Sequence, residues 1–184
     1  MCNFLSAIVL KNGDCLTHPL LDSHSDLVRY YQLPDGRAHH QHFAKVELTP
    51  HDWLNPDTWE FRLDEQTVPG WWDDVKAQAE ATLRDRARAM IVTTGRKDLI
   101  LEGRWILAGD AEFADVRGGR IVRMLGGTLT AMLGGTLTEM RGGTLTERNK
   151  TYTTLSKQAA EFLAALEPAP KRQKVPAKRK ARKV

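Results

Sequence analysis

The stretch MLGGTLTAMLGGTLTEMRGGTLTE, residues 124–147, consists of three nearly identical octads. The same period begins upstream at Ile100 with ILEGRWIL, AGDAEFAD and VRGGRIVR, and it ends at Leu155 with RNKTYTTL. A fixed short period indicates one structural unit stacked on copies of itself. Residues 99–155 are therefore predicted to form a repeat domain.

Positions 1, 4 and 6 of the octad carry the packing pattern. Position 1 is apolar in the first six octads, position 4 is glycine or alanine, and threonine fills positions 5 and 7 of the later octads, where β-branched residues suit outward-facing strand positions. The pattern predicts a repeat core made of the apolar residues at position 6, namely Trp105, Phe113, Ile121, Leu129, Leu137 and Leu145.

Two folds compete for this repeat. In a β-meander, Gly-Gly would form hairpin turns, and Leu129 and Met132 would face opposite sides of a flat sheet because strand side chains alternate. In a β-solenoid, each octad is a strand plus a corner, glycine at position 4 permits the turn, and positions 6 and 1 both face a single interior. The solenoid is favoured because it requires only one core. The period alone does not fix the number of octads in each coil.

The run from Gly103 to Thr146, with its Gly-Gly-Thr-Leu-Thr cores, resembles small proteins of uncharacterised function from bacteria and their phages. The resemblance implies an α/β head followed by a C-terminal octapeptide-repeat solenoid. It is a likeness of fold, and it implies no catalytic residues.

Residues 1–98 are predicted to form the α/β head, so that the fold class is α+β. The chain begins with an apolar strand that turns at Asn12-Gly13, and a helix follows the capping residues 22–26. Two more strands are predicted over 40–48 and 58–63. The clearest helix runs from about Trp72 to Val92, with Gly95 as the residue that ends it.

A capping helix is predicted for residues 156–167 and a disordered basic tail for residues 168–184. The tail contains no acidic residue, and its eight basic residues are Lys171, Arg172, Lys174, Lys178, Arg179, Lys180, Arg182 and Lys183. Removing these eight from the total of 27 Lys and Arg leaves 19 against 23 Asp and Glu, so residues 1–167 carry a formal charge of −4. The tail is therefore predicted to bind DNA or RNA without sequence preference.

Composition excludes several classes. The chain lacks an apolar run long enough to span a membrane, and its first residues lack the basic start of a signal peptide. Two cysteines in 184 residues argue against a disulfide scaffold and fit a reducing compartment. We expect a cytoplasmic protein that does not enter membranes.

Cys2 is the candidate catalytic residue. Removal of Met1 would give Cys2 a thiol beside its own α-amine, which is the arrangement that N-terminal-nucleophile hydrolases use. The chain is short for that class, and a substrate-clamping arginine cannot be matched. A small buried residue at the start of a strand is the favoured interpretation of Cys2.

The remaining polar and aromatic residues predict no cofactor and no metal. His40 and His42 would share a strand face near Cys15 or His18, but no recognised metal-ligand spacing is present. The tryptophans are interpreted as core residues rather than as a base-stacking surface.

These observations favour a non-enzymatic binding or assembly protein, of phage or bacterial type, that associates with nucleic acid through the tail and with proteins through the solenoid. A host protein and a second copy of the chain are both candidate partners. The alternatives are a Cys2 hydrolase and a pure protein-interaction module.

Overall fold

The structure of this protein is a computed structural model, and it describes residues 4–34, 36 and 38–148. Within them, strands and helices follow one another as β1 (Leu5–Leu10), β2 (Cys15–Leu16), α1 (His24–Tyr30), β3 (Phe43–Thr49), β4 (Glu60–Leu63), α2 (Trp72–Met90), β5 (Ile91–Val92), β6 (Arg96–Ile100), β7 (Arg104–Leu107), β8 (Glu112–Val116), β9 (Arg120–Met132) and β10 (Thr136–Arg148). This order confirms a fold of mixed helices and strands that ends, among these residues, in a β-solenoid.

The first four strands form an antiparallel sheet in the order β2-β1-β3-β4. The hairpin between β1 and β2 turns at Gly13, whose φ of +89° is the left-handed conformation that glycine adopts without a steric penalty. The predicted strands at 40–48 and 58–63 are present as the shorter β3 and β4.

The two helices cover opposite faces of this sheet. Ser23 caps α1, because its hydroxyl accepts a hydrogen bond from the backbone N–H of Asp26. Leu27 of α1 packs with Ile8 and Phe43 on one face. Alternate residues of β1 and β3 point to the other face, where they meet the buried residues of α2, which are Trp72, Val75, Ala79, Leu83 and Ala87.

The predicted end of α2 at Val92 and Gly95 is wrong. The helix ends at Met90, and Ile91 and Val92 pair in parallel with Ile106 and Leu107 as strand β5. Ile and Val are β-branched and favour strands, so these two residues pair with a neighbouring strand instead of continuing the helix. That neighbour is β7, which comes later in the chain. The stack therefore begins at Ile91, before the first octad.

Each coil of the solenoid consists of two octads. Arg104 pairs with Arg120, and Arg120 pairs with Thr136. The pairing is parallel throughout, which excludes the meander because a meander has antiparallel neighbours. One face contains β5, β7 and the first halves of β9 and β10, and the other contains β6, β8 and the second halves. The two long strands pass from one face to the other at their Gly-Gly steps.

The two glycines of each step have different roles. The second one, at position 4, has a positive φ, such as +76° at Gly119 and +78° at Gly127. The first one, at position 3, lies against the backbone of the preceding coil. A Cβ on Gly118 would be 2.0 Å from the carbonyl oxygen of Leu101, and one on Gly134 would be 2.1 Å from that of Arg117. Position 3 therefore requires glycine because the coils stack too closely for a side chain.

The head sheet and the first face of the solenoid share one apolar core. Ile106 of β7 is fully buried in the cluster that contains the apolar face of α2, and Val122 and Leu125 of β9 pack against the same cluster. Met1–Arg148 form one compact unit. The outward side of this solenoid face is thereby covered by the head.

Candidate functional site

The repeat residues line the interior of the solenoid. Phe113, Ile121 and Leu129 at position 6 are at most 1% exposed, and Met124 and Met132 at position 1 are almost equally enclosed. Trp105, Leu137 and Leu145 are partly buried and pack against this cluster. Positions 1 and 6 thus face one interior, which the side chains of successive coils fill.

Burial decreases along the last coil. Leu137 and Leu145 are less buried than their partners Ile121 and Leu129 in the preceding coil, and Met140 is 43% exposed. Among the described residues, β10 pairs only with β9. An apolar end of the stack is therefore uncovered by the described part of the chain.

Cys2, the eight basic residues of 168–184 and the predicted helix 156–167 lie outside the described residues. The other cysteine, Cys15, is partly buried on β2. Burial raises the pKa of its thiol to about 11, although the nearby Arg86 acts in the opposite direction. The thiol is therefore protonated at neutral pH and is a poor nucleophile.

The expectation that His40 and His42 share a strand face is wrong. A short 3-10 helix covers His39–Gln41, and β3 begins only at Phe43. In that helix His39 contacts the carboxylate of Glu65 at 2.9 Å. The loop thus orders one histidine against a carboxylate instead of presenting a pair of ligands.

A different polar cluster, which the sequence did not reveal, joins α1, β3 and the end of β4. Ligand atoms of His24, Glu47 and Asp64 lie within 4.8 Å of one another. The His24 ring contacts the carbonyl oxygen of Val46 through Nε2 at 2.9 Å and the Asp64 carboxylate through Nδ1 at 3.2 Å. Because a carbonyl only accepts, Nε2 must carry a proton, and Nδ1 faces the carboxylate of Asp64.

Imidazole and carboxylate groups in this arrangement resemble the donor set of a divalent metal. The cluster already contains a cation, however, since Arg62 donates to the Glu47 carboxylate at 2.7 Å. Glu47 is 3% exposed, and a buried carboxylate requires such a partner. Its residues fit an ion-pair network that ties α1 to the sheet. The three residues come from separate elements, so linear spacing gave no signal.

Three of the tryptophans, Trp53, Trp59 and Trp72, pack against other side chains of the protein. Trp59 and Trp72 are 2% and 5% exposed, and Trp59 packs edge-on against Phe4 with ring centroids 5.2 Å apart. Trp53 is covered by the guanidinium of Arg123, which lies 4.0 Å above its ring. The indole of Trp53 therefore forms part of the contact between head and solenoid, and these three rings do not form an open stacking surface.

No protein-family model, curated protein or solved structure matches this chain significantly. Neither of the helices in the described residues has the length and apolar character needed to traverse a bilayer.

Proposed function

We propose that this chain is a non-enzymatic binding protein that associates with nucleic acid through its basic tail and uses the solenoid and head as a folded scaffold. The observation that carries the proposal is the separation of charge. Residues 168–184 contain eight basic residues and no acidic one, whereas residues 1–167 have a formal charge of −4. A polyanion is attracted to the first segment and repelled by the second.

The ion pairs of the solenoid support this division. On its outer surface Arg96 contacts Asp98 and Glu112, each at 2.7 Å, and Arg117 contacts Asp115 at 2.7 Å. Arg123 and Arg141 share the Glu139 carboxylate, and hydrogen bonding to Arg141 is the main reason that the pKa of this group is lowered. The arginines of the described solenoid are thus largely paired with carboxylates, whereas a phosphate backbone is bound by a row of unpaired cations.

Residues 156–167 are the proposed cover of the last coil. Ala159, Phe162, Leu163 and Leu166 recur at helical spacing and would form one apolar face. The apolar end formed by Leu137, Met140 and Leu145 needs such a partner, and the segment begins soon after Arg148 in the sequence. This segment of the same chain is therefore the proposed cover of the end of the stack, and dimerisation through that end is the alternative.

The test of tail binding uses the full-length chain and two tail variants. In the first, all eight basic residues of 168–184 become Gln; in the second, every Lys becomes Arg and every Arg becomes Lys, which keeps the charge. Binding to an arbitrary DNA duplex and to an RNA duplex is followed by fluorescence anisotropy at several salt concentrations. For the wild type we expect a log–log slope against salt of about −4 to −7, because each neutralised phosphate contributes about −0.9.

The charge-retaining variant should bind like the wild type, and the Gln variant should lose both the affinity and the slope. Sequence-selective binding by the Gln variant would assign recognition to the head or the solenoid. A wild-type chain without salt-dependent binding would refute the nucleic-acid function.

The test of the cap compares chains that end at residue 167 and at residue 155. The first truncation should leave the melting temperature unchanged, and the second should lower it because the last coil becomes uncovered. Sedimentation velocity provides the control: if the chain ending at 167 is a dimer and the dimer dissociates on Met140→Lys, a second copy covers the end instead.

A further inference from the structure

A pocket of about 260 Å³ opens where the head meets the first coils of the solenoid. Its walls are supplied by β1, by the loop that follows β2, by the last turns of α2 and by the start of β7. Most of the lining is apolar, and its charged or titratable groups are two arginines and one histidine; the lining contains Leu5, Thr17, His18, Pro19, Arg86, Ala89, Met90, Gly103, Arg104 and Trp105. No carboxylate is among these residues, although residues 1–167 as a whole are acidic.

Arg104 belongs to the pocket wall and has no acidic residue at ion-pair distance among the described residues. The residue is 4% exposed, and its guanidinium donates to the carbonyl oxygens of Phe4 and Leu21. It forms no ion pair among the described residues, and its Nε–H is buried without an acceptor. Asp22 influences Arg104 electrostatically, but the ion pair of the Asp22 carboxylate is with Arg120, at 2.8 Å.

Burial lowers the pKa of Arg104, the influence of Asp22 raises it, and that of Arg120 lowers it further. A buried cation with carbonyl partners alone is destabilising, and a nearby anion offsets that cost. Carbonyl oxygens supply only partial charges. The wall therefore favours a negative group in the adjoining pocket.

Two further polar residues, Arg86 and His18, border the same pocket. Arg86 of α2 is exposed, donates to the hydroxyl of Thr17 at 2.5 Å and forms no ion pair with a described residue. His18 accepts the backbone N–H groups of Leu20 and Leu21 at its Nδ1, both at 3.1 Å. Because Nδ1 is an acceptor, the ring proton lies on Nε2, which makes that atom a donor.

We infer that this pocket binds a small organic carboxylate with an apolar body, whose carboxylate is held by Arg86 beside Arg104 and whose hydrocarbon part packs on Ala89 and Met90. The planar guanidinium of Arg86 matches a carboxylate in two hydrogen bonds. The volume is slightly below the roughly 300–1,000 Å³ of sites for drug-sized ligands, so the ligand is small. A nucleic-acid chain is too large for it, and the site is therefore separate from the proposed function of the tail.

The test uses benzoate and hexanoate as probes, with benzyl alcohol and hexanol as their uncharged counterparts. Binding is followed through the indole N–H resonance of Trp105 in ¹⁵N-labelled full-length protein, assigned by its loss in Trp105→Phe. The indole N–H donates to the carbonyl oxygen of Glu102 at 2.9 Å and belongs to a residue of the pocket wall, so its resonance should move on binding. We expect saturable shifts with the carboxylates and much weaker ones with the alcohols.

Arg86→Gln should weaken carboxylate binding at least about tenfold, since a hydrogen bond to a charged group is lost. Arg88→Gln is the matched control, because it removes the same charge nearby on α2, where Arg88 is paired with Asp57 and Asp85. It should leave binding unchanged. The variant with eight Gln in the tail should bind the carboxylates normally, which distinguishes this site from non-specific attraction to the tail.

The inference is overturned if neither carboxylate saturates the Trp105 resonance, or if the alcohols bind as tightly as the acids. It is also overturned if Arg86→Gln and Arg88→Gln have equal effects. A loss of carboxylate binding in the tail variant with Arg86 intact would likewise place the anion on the tail.

Discussion

Gly118→Ala tests the close stacking of the coils. A Cβ at this position would lie 2.0 Å from the carbonyl oxygen of Leu101 and 2.9 Å from its carbonyl carbon. Ordinary Cβ contacts are longer by roughly 1 Å or more, so the two coils must separate locally. The backbone of Gly118 does not have a positive φ, and the effect of the added methyl group is therefore steric rather than conformational.

The magnitude follows from the contacts that such a separation disturbs. Insertion of a methyl group into a well-packed region costs about 1–3 kcal/mol. The N–H groups of Arg117 and Gly118 both donate to the carbonyl oxygen of Ile100, at 2.9 and 3.2 Å, and weakening one of these bonds adds about 0.5–1.5 kcal/mol. We expect Gly118→Ala to lower the free energy of unfolding by about 2–4 kcal/mol.

Urea denaturation followed by circular dichroism measures this change, and thermal melting should show a decrease of about 5–15 °C for a chain of this size. Gly70→Ala is the matched control, because a Cβ there has no neighbour within 4 Å and its φ is not positive. It should change stability by less than about 0.5 kcal/mol. A Gly118→Ala protein as stable as the Gly70→Ala protein would show that the coils are not stacked in this way.

Other substitutions test the interior and the thiols. Leu129→Asp should unfold the solenoid, since the Leu129 side chain is fully buried and an unpaired buried charge costs several kcal/mol. Thr136→Lys, at an exposed position, should be tolerated. Equal melting temperatures of the two variants would contradict the inward orientation of position 6. The free energy of unfolding should fall as the pH rises from about 9 to 11. In this range the thiol of Cys15 ionises in the unfolded chain, whereas the folded thiol, with a pKa of about 11, keeps its proton. Cys15→Ala should reduce the decrease, as measured by urea titrations. At pH 8 Cys15 should react with a thiol reagent far more slowly than a free peptide thiol does. A fast-reacting thiol in the native protein would therefore be Cys2. An intact mass that shows a retained Met1 would refute the hydrolase alternative.

Several elements of the head were predictable from local sequence. The capping residues before α1, the three- and four-residue spacing of α2 and the apolar strand that becomes β1 each report on a few neighbouring side chains. The end of α2 was not predictable in this way. Ile91 and Val92 continue the helical spacing, and only their pairing with β7 makes them a strand.

The candidate functional groups also differ in whether the sequence alone could reveal them. The charge of residues 168–184 is a property of composition and can be counted without a fold. The cluster of His24, Glu47 and Asp64 brings together residues from three elements. In the wall of the pocket, Arg104 is held by the carbonyl groups of Phe4 and Leu21, which lie 100 and 83 positions earlier in the chain. No linear spacing could indicate either site.

The octad period alone was enough to predict that the octads within residues 99–155 stack and that positions 1 and 6 face the interior, because an exact period repeats the same local preference in every unit. It could not show that two octads make one coil, that Gly118 and Gly134 must lack a side chain, or that the head covers one face of the stack. Those features depend on which backbone lies one coil away and on which apolar surface is left to bury. Both depend on packing between distant parts of the chain, which a linear pattern of residues does not specify.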